Sequence, residues 1–385
     1  MSQTYRALLV GTGSIADAHV RAIEDTRGRV VLAGAVDIDP GRLAAFCARH
    51  QVAAKHPDYA AALQATRPDL VLVAAPPALH AEMTIAALEA GAWVLCEKPF
   101  CASLAELDRI AEAERRSGRF ASCVFQQRFA SSTAHVRRLA EENLLGRPLV
   151  AVCHTLWFRD AAYYAVPWRG KWRTELGGPT VGLGIHAMDH LLYLLGDWAE
   201  VRAQAGTLDR NVEVEDVSMA LIRFANGALA SVVNSALSPR QETYIRLDYQ
   251  RATIELTHLY GYSRDNWRFT LAPSVQEEGN TLTQAWQSFP PDTGSTHAAQ
   301  LAELVLHLDA GTRPLTSGDD ARRTLELLTA LYKSAFTGEP VARGSIRPGD
   351  PFYAALNGGH APQRAKPRGA GDHRNGSSVP ATSVQ

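Results

Sequence analysis

Residues whose types and spacing could do chemistry fall in three short runs of this 385-residue chain. The first is Gly11-Thr12-Gly13-Ser14-Ile15-Ala16, which follows the apolar run Leu8-Leu9-Val10. A G-x-G-x-x-A that leaves a strand and opens a helix can cradle a pyrophosphate: Gly11 permits the tight turn, Gly13 lets the backbone approach the phosphates, and Ala16 lets helix and strand pack closely. The helix N-terminus then faces the phosphate charge. A glycine-rich turn of this kind also occurs simply as a tight corner. Here, however, Asp37 closes the next strand-like run, where a carboxylate would hydrogen-bond an adenosine ribose and repel a 2′-phosphate. The combination predicts a dinucleotide site with NAD favoured over NADP, while Arg42 nearby is the residue that could accept a phosphate. Asp39, followed by Pro40, reads better as a helix cap than as a ribose ligand.

The second run is Glu97-Lys98-Pro99, directly after Val94 to Cys96. Ligands of an open parallel sheet lie beyond the carboxyl ends of its strands. The other strand ends here carry the glycine loop, Asp37 and Ala75-Pro76-Pro77, so Lys98 is the one lysine placed there. Partial burial would bring its ammonium towards a useful acid/base range; the alternative is a surface lysine ahead of a helix. The third run, Gly177 to His190, sets His186, Asp189 and His190 within one helical turn. His186 titrates near neutrality and is a natural proton-transfer group, or else a satisfied core histidine. His186 and His190 also have the i, i+4 spacing of a metal pair, but there is no H-E-x-x-H and no third ligand, and no metal is expected. Just upstream, Trp157-Phe158-Arg159-Asp160, Tyr163-Tyr164 and Trp168-Arg169-Gly170-Lys171-Trp172 mix aromatic faces with cations. Aromatics stack on sugar rings while Arg and Lys hold hydroxyls or a carboxylate; the alternative is a loop packed at an interface.

These runs need elements to position them. Over the first 125 residues, strand-length runs (Leu8 to Val10, Val30 to Val36, Leu70 to Ala75, Val94 to Cys96, Ala121 to Phe125) alternate with amphipathic stretches. Asp39-Pro40, Asp58 and Ser103 with Glu106 supply helix starts, and Gly91 and Gly118 supply stops. Strands apolar throughout and alternating with helices imply a doubly wound parallel sheet. Beyond about residue 145 hairpin signals take over: Val217 to Phe224 with Ala228 to Val233 around Ala225-Asn226-Gly227, and Tyr244 to Tyr249 with Ala252 to Leu256 around Gln250-Arg251. Helices are expected at about 184–195, 297–310 and 319–336, the last two packing back towards the first part. The fold class is therefore α/β, a Rossmann sheet followed by an α+β domain with a large, mostly antiparallel open sheet. The boundaries fall at 1–125, 126–357 and a tail, 358–385, whose Gly, Pro, Ser, Arg and Asn content predicts disorder.

Composition narrows the class of function. With 46% hydrophobic and 21% charged residues and a formal net charge of −1, the sequence is an ordinary globular one, without the basic stripe of a nucleic-acid binder. The N-terminus enters a strand too early for a secretory leader, and no apolar run is long enough to span a bilayer. Five irregularly spaced cysteines (Cys47, Cys96, Cys101, Cys123, Cys153) fit packing residues in a reducing compartment. These features predict a cytoplasmic protein with neither nucleic-acid nor membrane partners.

Taken together, Gly11-Thr12-Gly13, Val36-Asp37, Pro76-Pro77 with His80, Glu97-Lys98-Pro99 and Gly184-Ile185-His186-Ala187-Met188-Asp189 resemble the Gfo/Idh/MocA family, which includes glucose-fructose oxidoreductase and inositol dehydrogenases. The resemblance spans roughly residues 5 to 345 and extends to Gln127-Arg128-Phe129, Gly294-Ser295-Thr296-His297 and Arg313-Pro314-Leu315. It implies Lys98 as the catalytic lysine, His186 as a catalytic or substrate-orienting histidine, a cis bond before Pro99 and assembly through the open sheet face as a homodimer or tetramer. On this basis the cofactor is assigned to Gly11, Thr12, Gly13, Ser14, Ile15, Asp37, Arg42, Ala75, Pro76, His80, Glu97, Lys98 and Gln126. The substrate, a small carbohydrate or polyol, is assigned to Lys98, Arg128, Tyr163, Trp168, Arg169, His186 and Asp189. Many members of the family carry an Asp four residues before the histidine, but Gly182 stands here, leaving the proton relay to Lys98 and His186 or to a carboxylate from elsewhere such as Glu175 or Asp160. The implied activity is hydride transfer between nicotinamide and a ring hydroxyl. The rivals are an NAD-dependent glycoside-cleaving relative and a non-catalytic cofactor-binding regulator.

Overall fold

A computed structural model describes residues 3–275, 279–361 and 363–364 of the chain. Six strands, β1 (Tyr5–Val10), β2 (Val30–Val36), β3 (Lys55–His56), β4 (Leu70–Val73), β5 (Trp93–Cys96) and β6 (Ala121–Cys123), form one parallel sheet in the order β3-β2-β1-β4-β5-β6. That order reverses direction between β1 and β4, and the crevice beyond those strand ends is where such sheets bind ligands. Every residue of β4 and β5 is buried, as expected of strands covered on both faces. Helix starts and stops follow the sequence signals. Asp39 and Asp58 accept hydrogen bonds from the first turns of helices Pro40–Arg49 and Tyr59–Thr66, and Gly118 ends helix Leu104–Ser117 at φ 65°. Ser103 also caps as expected, but the Glu106 carboxylate returns to Ala102 N rather than to Ser103 N. The two-residue β3 was not expected, being too short to carry a period.

The second sheet contains β7 (Pro148–Phe158), β8 (Trp198–Thr207), β9 (Val217–Phe224), β10 (Leu229–Ser235), β11 (Leu237–Tyr249), β12 (Ala252–His258), β13 (Trp267–Leu271), β14 (Val341–Ala342) and β15 (Gln363–Arg364). The order is β13-β12-β11-β7-β10-β9-β8-β14, with β15 beside β8. Both expected hairpins are present, with Gly227 at φ 91° in the first. The pairs β7/β10 and β8/β15 run parallel, so the sheet is mixed though mostly antiparallel. Trp157 and Phe158, the start of the expected recognition segment, end β7. From the expected tail, residues 358–361 are ordered and Gln363–Arg364 pair with β8; residues 365–385, on which the rest of that expectation falls, lie outside the described residues.

Two packing layers decide where the site lies. Helix His297–Ala310 buries Leu301, Leu304 and Val305 against Leu9, Val20 and Ile23, so a segment near the C-terminus completes the cover of the first sheet. Helix Asp319–Thr337 lies on β8 and buries Leu327, Leu328 and Leu331 in the larger core, together with Leu191 and Leu192 of helix Ile185–Leu195. The expected return of the C-terminal helices is therefore realised mainly by the first of them. All five cysteines are buried and free.

Candidate active site

The glycine loop leaves β1 with Gly11 at φ 92°, and a Cβ there would stand 2.5 Å from Ala74 O, so both backbone angle and space demand glycine. A Cβ on Gly13 would meet nothing within 4 Å, which leaves open room above the loop. Asp37 is held at the rim: Oδ2 accepts from Thr12 N (2.9 Å) and Thr12 Oγ1 (2.7 Å), and Oδ1 from Asp39 N (2.9 Å). Arg42 extends from the same rim, 3.3 Å from Asp39 Oδ2 and 3.9 Å from Asp37 Oδ2. Ser14 is exposed at the loop tip and Ile15 half-buried at the helix start. An open cradle ahead of helix Ala16–Asp25 beside a carboxylate at the end of β2 fits a dinucleotide with free ribose hydroxyls.

At the next strand ends, His80 spans the gap between β4 and β5, with Nδ1 2.7 Å from Pro99 O and Nε2 2.8 Å from Ala75 O. Both ring nitrogens lie against backbone carbonyls, one of them donating according to the tautomer, so His80 braces the loops that carry Ala75, Pro76 and Lys98. Glu97 is likewise turned inward. Its Oε1 accepts from His19 Nε2 (3.0 Å) and His297 Nε2 (2.9 Å). Burial opposes the charge of Glu97, yet the two imidazole N–H groups hold its carboxyl well below the usual range. These ligand-type atoms lie within 4.8 Å of one another, but at spacings that are those of N–H···O bonds. His80 and Glu97 thus stand at the cofactor rim with His80 between two loop carbonyls and Glu97 Oε1 held by two imidazoles. His19 escaped the sequence reading because a histidine inside an amphipathic helix carries no signal of its partner. His297 was noted only within a motif.

Lys98, which precedes Pro99 in a cis peptide bond, lines a cavity of about 210 Å³. That is smaller than the roughly 300–1,000 Å³ sites of drug-sized ligands and suits a single ring. Lys98 Nζ donates to Gly182 O at 2.6 Å. Burial and the Arg169 guanidinium bring its pKa down, against the pull of Glu97 and Glu175. His186 faces the same cavity, and neither of its buried ring nitrogens has a partner among the described residues. Burial and the Lys98 charge push its pKa well below the usual value, so the ring is neutral. Trp157, Tyr163, Trp168 and Tyr260 line the walls. The Arg169 guanidinium stacks 3.8 Å from the Tyr163 ring centre and 4.4 Å from that of Trp168, and donates to Glu175 Oε1 at 3.1 Å. Arg159 stacks on Trp157 and Tyr163. Tyr260 was not foreseen, since it follows β12 with no motif around it; Gln126 Nε2 donates to its hydroxyl at 3.3 Å while Gln126 Oε1 is buried without a partner among the described residues.

Two assigned substrate residues are not in this cavity. Arg128 and Asp189 form a closed ion pair (Nε–Oδ2 2.6 Å, Nη2–Oδ1 2.5 Å) whose side chains are 0% and 1% exposed. Asp320 Oδ2 lies 2.8 Å from Arg128 Nη1, and Thr324 Oγ1 donates to Asp189 at 2.8 Å. Neither residue lines the cavity, and the pair ties together the helices at whose junction it is buried. His190 also turns into the core, with Nε2 3.0 Å from Thr133 Oγ1 and its ring stacked on Tyr262.

Comparison with known proteins gives the family. Residues 5–125 match the model of the oxidoreductase family with an NAD-binding Rossmann fold, and residues 133–258 match the GFO/IDH/MocA C-terminal domain. The chain belongs to the Gfo/Idh/MocA family of NAD-dependent oxidoreductases. Over 364 residues it is 26% identical to D-glucoside 3-dehydrogenase of Escherichia coli, covering 88% of this chain and 98% of that one. It is 25% identical over 335 residues to myo-inositol 2-dehydrogenase of Thermotoga maritima, covering 85% and 95%. Among solved structures, the WlbA dehydrogenase of Bordetella pertussis, in complex with NADH and UDP-GlcNAcA, superposes with a TM-score of 0.79 at 26% identity over 89% of this chain and 100% of that one.

Proposed function

We propose that the chain oxidises a ring hydroxyl of a sugar, sugar acid or inositol-type polyol with NAD, and runs the reverse ketone reduction. The observation that carries this reading is the meeting of Lys98 with a neutral His186, unpartnered among the described residues, in one ring-sized cavity beside the carboxyl ends of an NAD-binding sheet. Bound NAD supplies the hydride acceptor. Lys98 Nζ takes the proton of the reacting hydroxyl, and its lowered pKa makes the free amine available at lower pH than for an ordinary lysine. His186 accepts or returns a hydrogen bond at the same hydroxyl, which fixes its orientation. Trp168 and Tyr163 pack on the ring, while Arg159 and Arg169 hold its other hydroxyls or a carboxylate. Relatives named for a glucoside and for myo-inositol support ring alcohols as the substrate class. Asp37 at the ribose end supports NAD over NADP.

The division of labour we assign is residues 1–125 to the cofactor and 126–357 to substrate and subunit contacts, in a cytoplasmic homodimer or tetramer. Five buried free cysteines support a reducing compartment, and an apolar stripe on the open sheet face (Met219, Leu221 and Leu229, each more than half exposed) supports assembly. Light scattering tests the latter, and a monomer at micromolar concentration would overturn it.

Activity is tested by incubating the protein with NAD+ or NADP+ and a panel of inositols, aldoses, glucosides and uronates while following absorbance of the reduced nicotinamide. The expected result is NADH formation with at least one ring alcohol, reduced about 10²–10⁴-fold by Lys98→Ala. Silence across the panel with NADH binding retained would overturn the dehydrogenase reading in favour of glycoside cleavage or a regulator.

A further inference from the structure

The cavity holds a carboxylate that the reading above leaves without a task. Glu175 closes the short helix Trp172–Glu175, is 4% exposed and lines the same cavity as Lys98 and His186. Its Oε2 accepts the Gly170 N–H at 2.5 Å and its Oε1 accepts from Arg169. It is the only acidic side chain lining that cavity among the described residues. Oε1 also stands 3.7 Å from where a Cβ would be on Gly182, the residue whose carbonyl holds Lys98 Nζ. A carboxylate drawn out of water needs a reason to be there. Arg169 supplies one partner, but Arg169 is itself shared with Tyr163 and stacked between Tyr163 and Trp168, which leaves Oε1 with acceptor capacity towards the cavity.

We infer that Glu175 is a third catalytic residue of this site: its Oε1 accepts a hydrogen bond from the substrate ring beside Gly182 and, facing Lys98 across the cavity, stabilises the ammonium formed when Lys98 takes the hydroxyl proton. The assignment rests on the dehydrogenase reading and deepens it. No atom is gained or lost beyond the hydride and the proton already described; burial pushes the Glu175 carboxyl up while the Gly170 N–H, Arg169 and Lys98 favour its charge, and that charge offsets the positive charge that appears on Lys98 in the oxidative direction. The charged and titratable groups around Lys98 are Glu97 and Cys123 behind it and Glu175, Arg169, Arg159, His186, Tyr163 and Tyr260 in the cavity. Glu97 is committed to His19 and His297, so removing Glu175 leaves Lys98 without a cavity carboxylate and beside Arg169. The Lys98 titration then moves to lower pH.

Gly182 provides the decisive test, because its φ is not left-handed and a side chain there meets only ordinary contact with Glu175. A carboxylate can thus be taken away at 175 and returned at 182. Four proteins are compared: wild type, Glu175→Gln, Gly182→Asp and the double variant. The first readout is the turnover of the wild type's best substrate; the second, independent of any substrate, is the pH dependence of Lys98 acetylation by acetic anhydride, followed by mass spectrometry. Glu175→Gln should cut kcat at least 100-fold with NADH binding unchanged and should move the Lys98 labelling curve to lower pH. The double variant should recover at least tenfold of that loss and return the curve towards the wild-type position. A Glu175→Gln enzyme within about twofold of wild type, or a loss that adding Gly182→Asp fails to recover in a protein that still binds NADH, would overturn the assignment. If the wild type turns over nothing, the dehydrogenase reading fails by itself, while an unmoved labelling curve would sink the Glu175 assignment separately.

Discussion

His186 and Asp189 stand one turn apart on the same buried helix, and the surroundings the fold gives them are opposite. Asp189 meets a guanidinium fork, a threonine hydroxyl and, through Arg128, a second carboxylate, leaving no oxygen free. His186 meets two aromatic edges, Phe125 and Tyr260, and no hydrogen-bond partner among the described residues at either nitrogen. Buried polar groups are almost always satisfied internally. A satisfied one away from any cavity serves the packing, and an unsatisfied one lining a cavity marks a place kept for a ligand. Burial alone does not separate the two residues, since the histidine is 5% exposed and the aspartate 0%. Partner count does.

The largest effect that can break this contrast lies at the junction. Asp189→Asn keeps the shape but leaves the Arg128 charge buried with Asp320 alone, and removing one partner of a buried pair costs about 3–5 kcal/mol. Urea denaturation should show a loss of that order with an unchanged slope, while kcat/KM of the protein still folded at 25 °C stays within about tenfold of wild type. An Asp189→Asn protein of normal stability and lost activity would return Asp189 to the substrate and dissolve the comparison.

What could be read without coordinates follows the same division. The doubly wound sheet, its helix caps at Asp39 and Asp58, and the Asn226-Gly227 hairpin are set by local patterns, and each lies where the chain itself announces it. The place of Lys98 beside the cavity was legible because a lysine at a strand end is a local fact with a topological meaning. The partners were not legible. Arg128 reads as a polar residue after the last strand, and only the fold of a segment 61 residues away shows that Asp189 consumes it. His19, Glu97 and His297 join across 78 and 200 residues for the same reason. Tyr260 enters the cavity from the end of β12, where no motif surrounds it. Sequence shows which residues could act, and long-range hydrogen bonds decide which of them are already employed.

A smaller but sharper effect lies at His186. His186→Leu removes two buried nitrogens without a partner among the described residues, so at pH 7.5 the variant should be as stable as wild type or more stable, since leaving such a group unsatisfied costs about 1–3 kcal/mol. Turnover should nevertheless fall about 100-fold, the lower end of what a positioned proton-transfer group contributes. Acid sharpens the difference. The folded protein holds the His186 pKa well below that of the unfolded chain, so below about pH 6.5 the unfolded chain takes up a proton that the folded one refuses, and folding weakens as pH falls through that value. Leucine takes up no proton in either state. The stability gap between His186→Leu and wild type should therefore widen between pH 7.5 and 5.5 in denaturant melts. A gap that stays constant, or a variant less stable than wild type at every pH, would mean that the imidazole has a structural partner after all, and that the helix carries two structural residues in place of one structural and one functional.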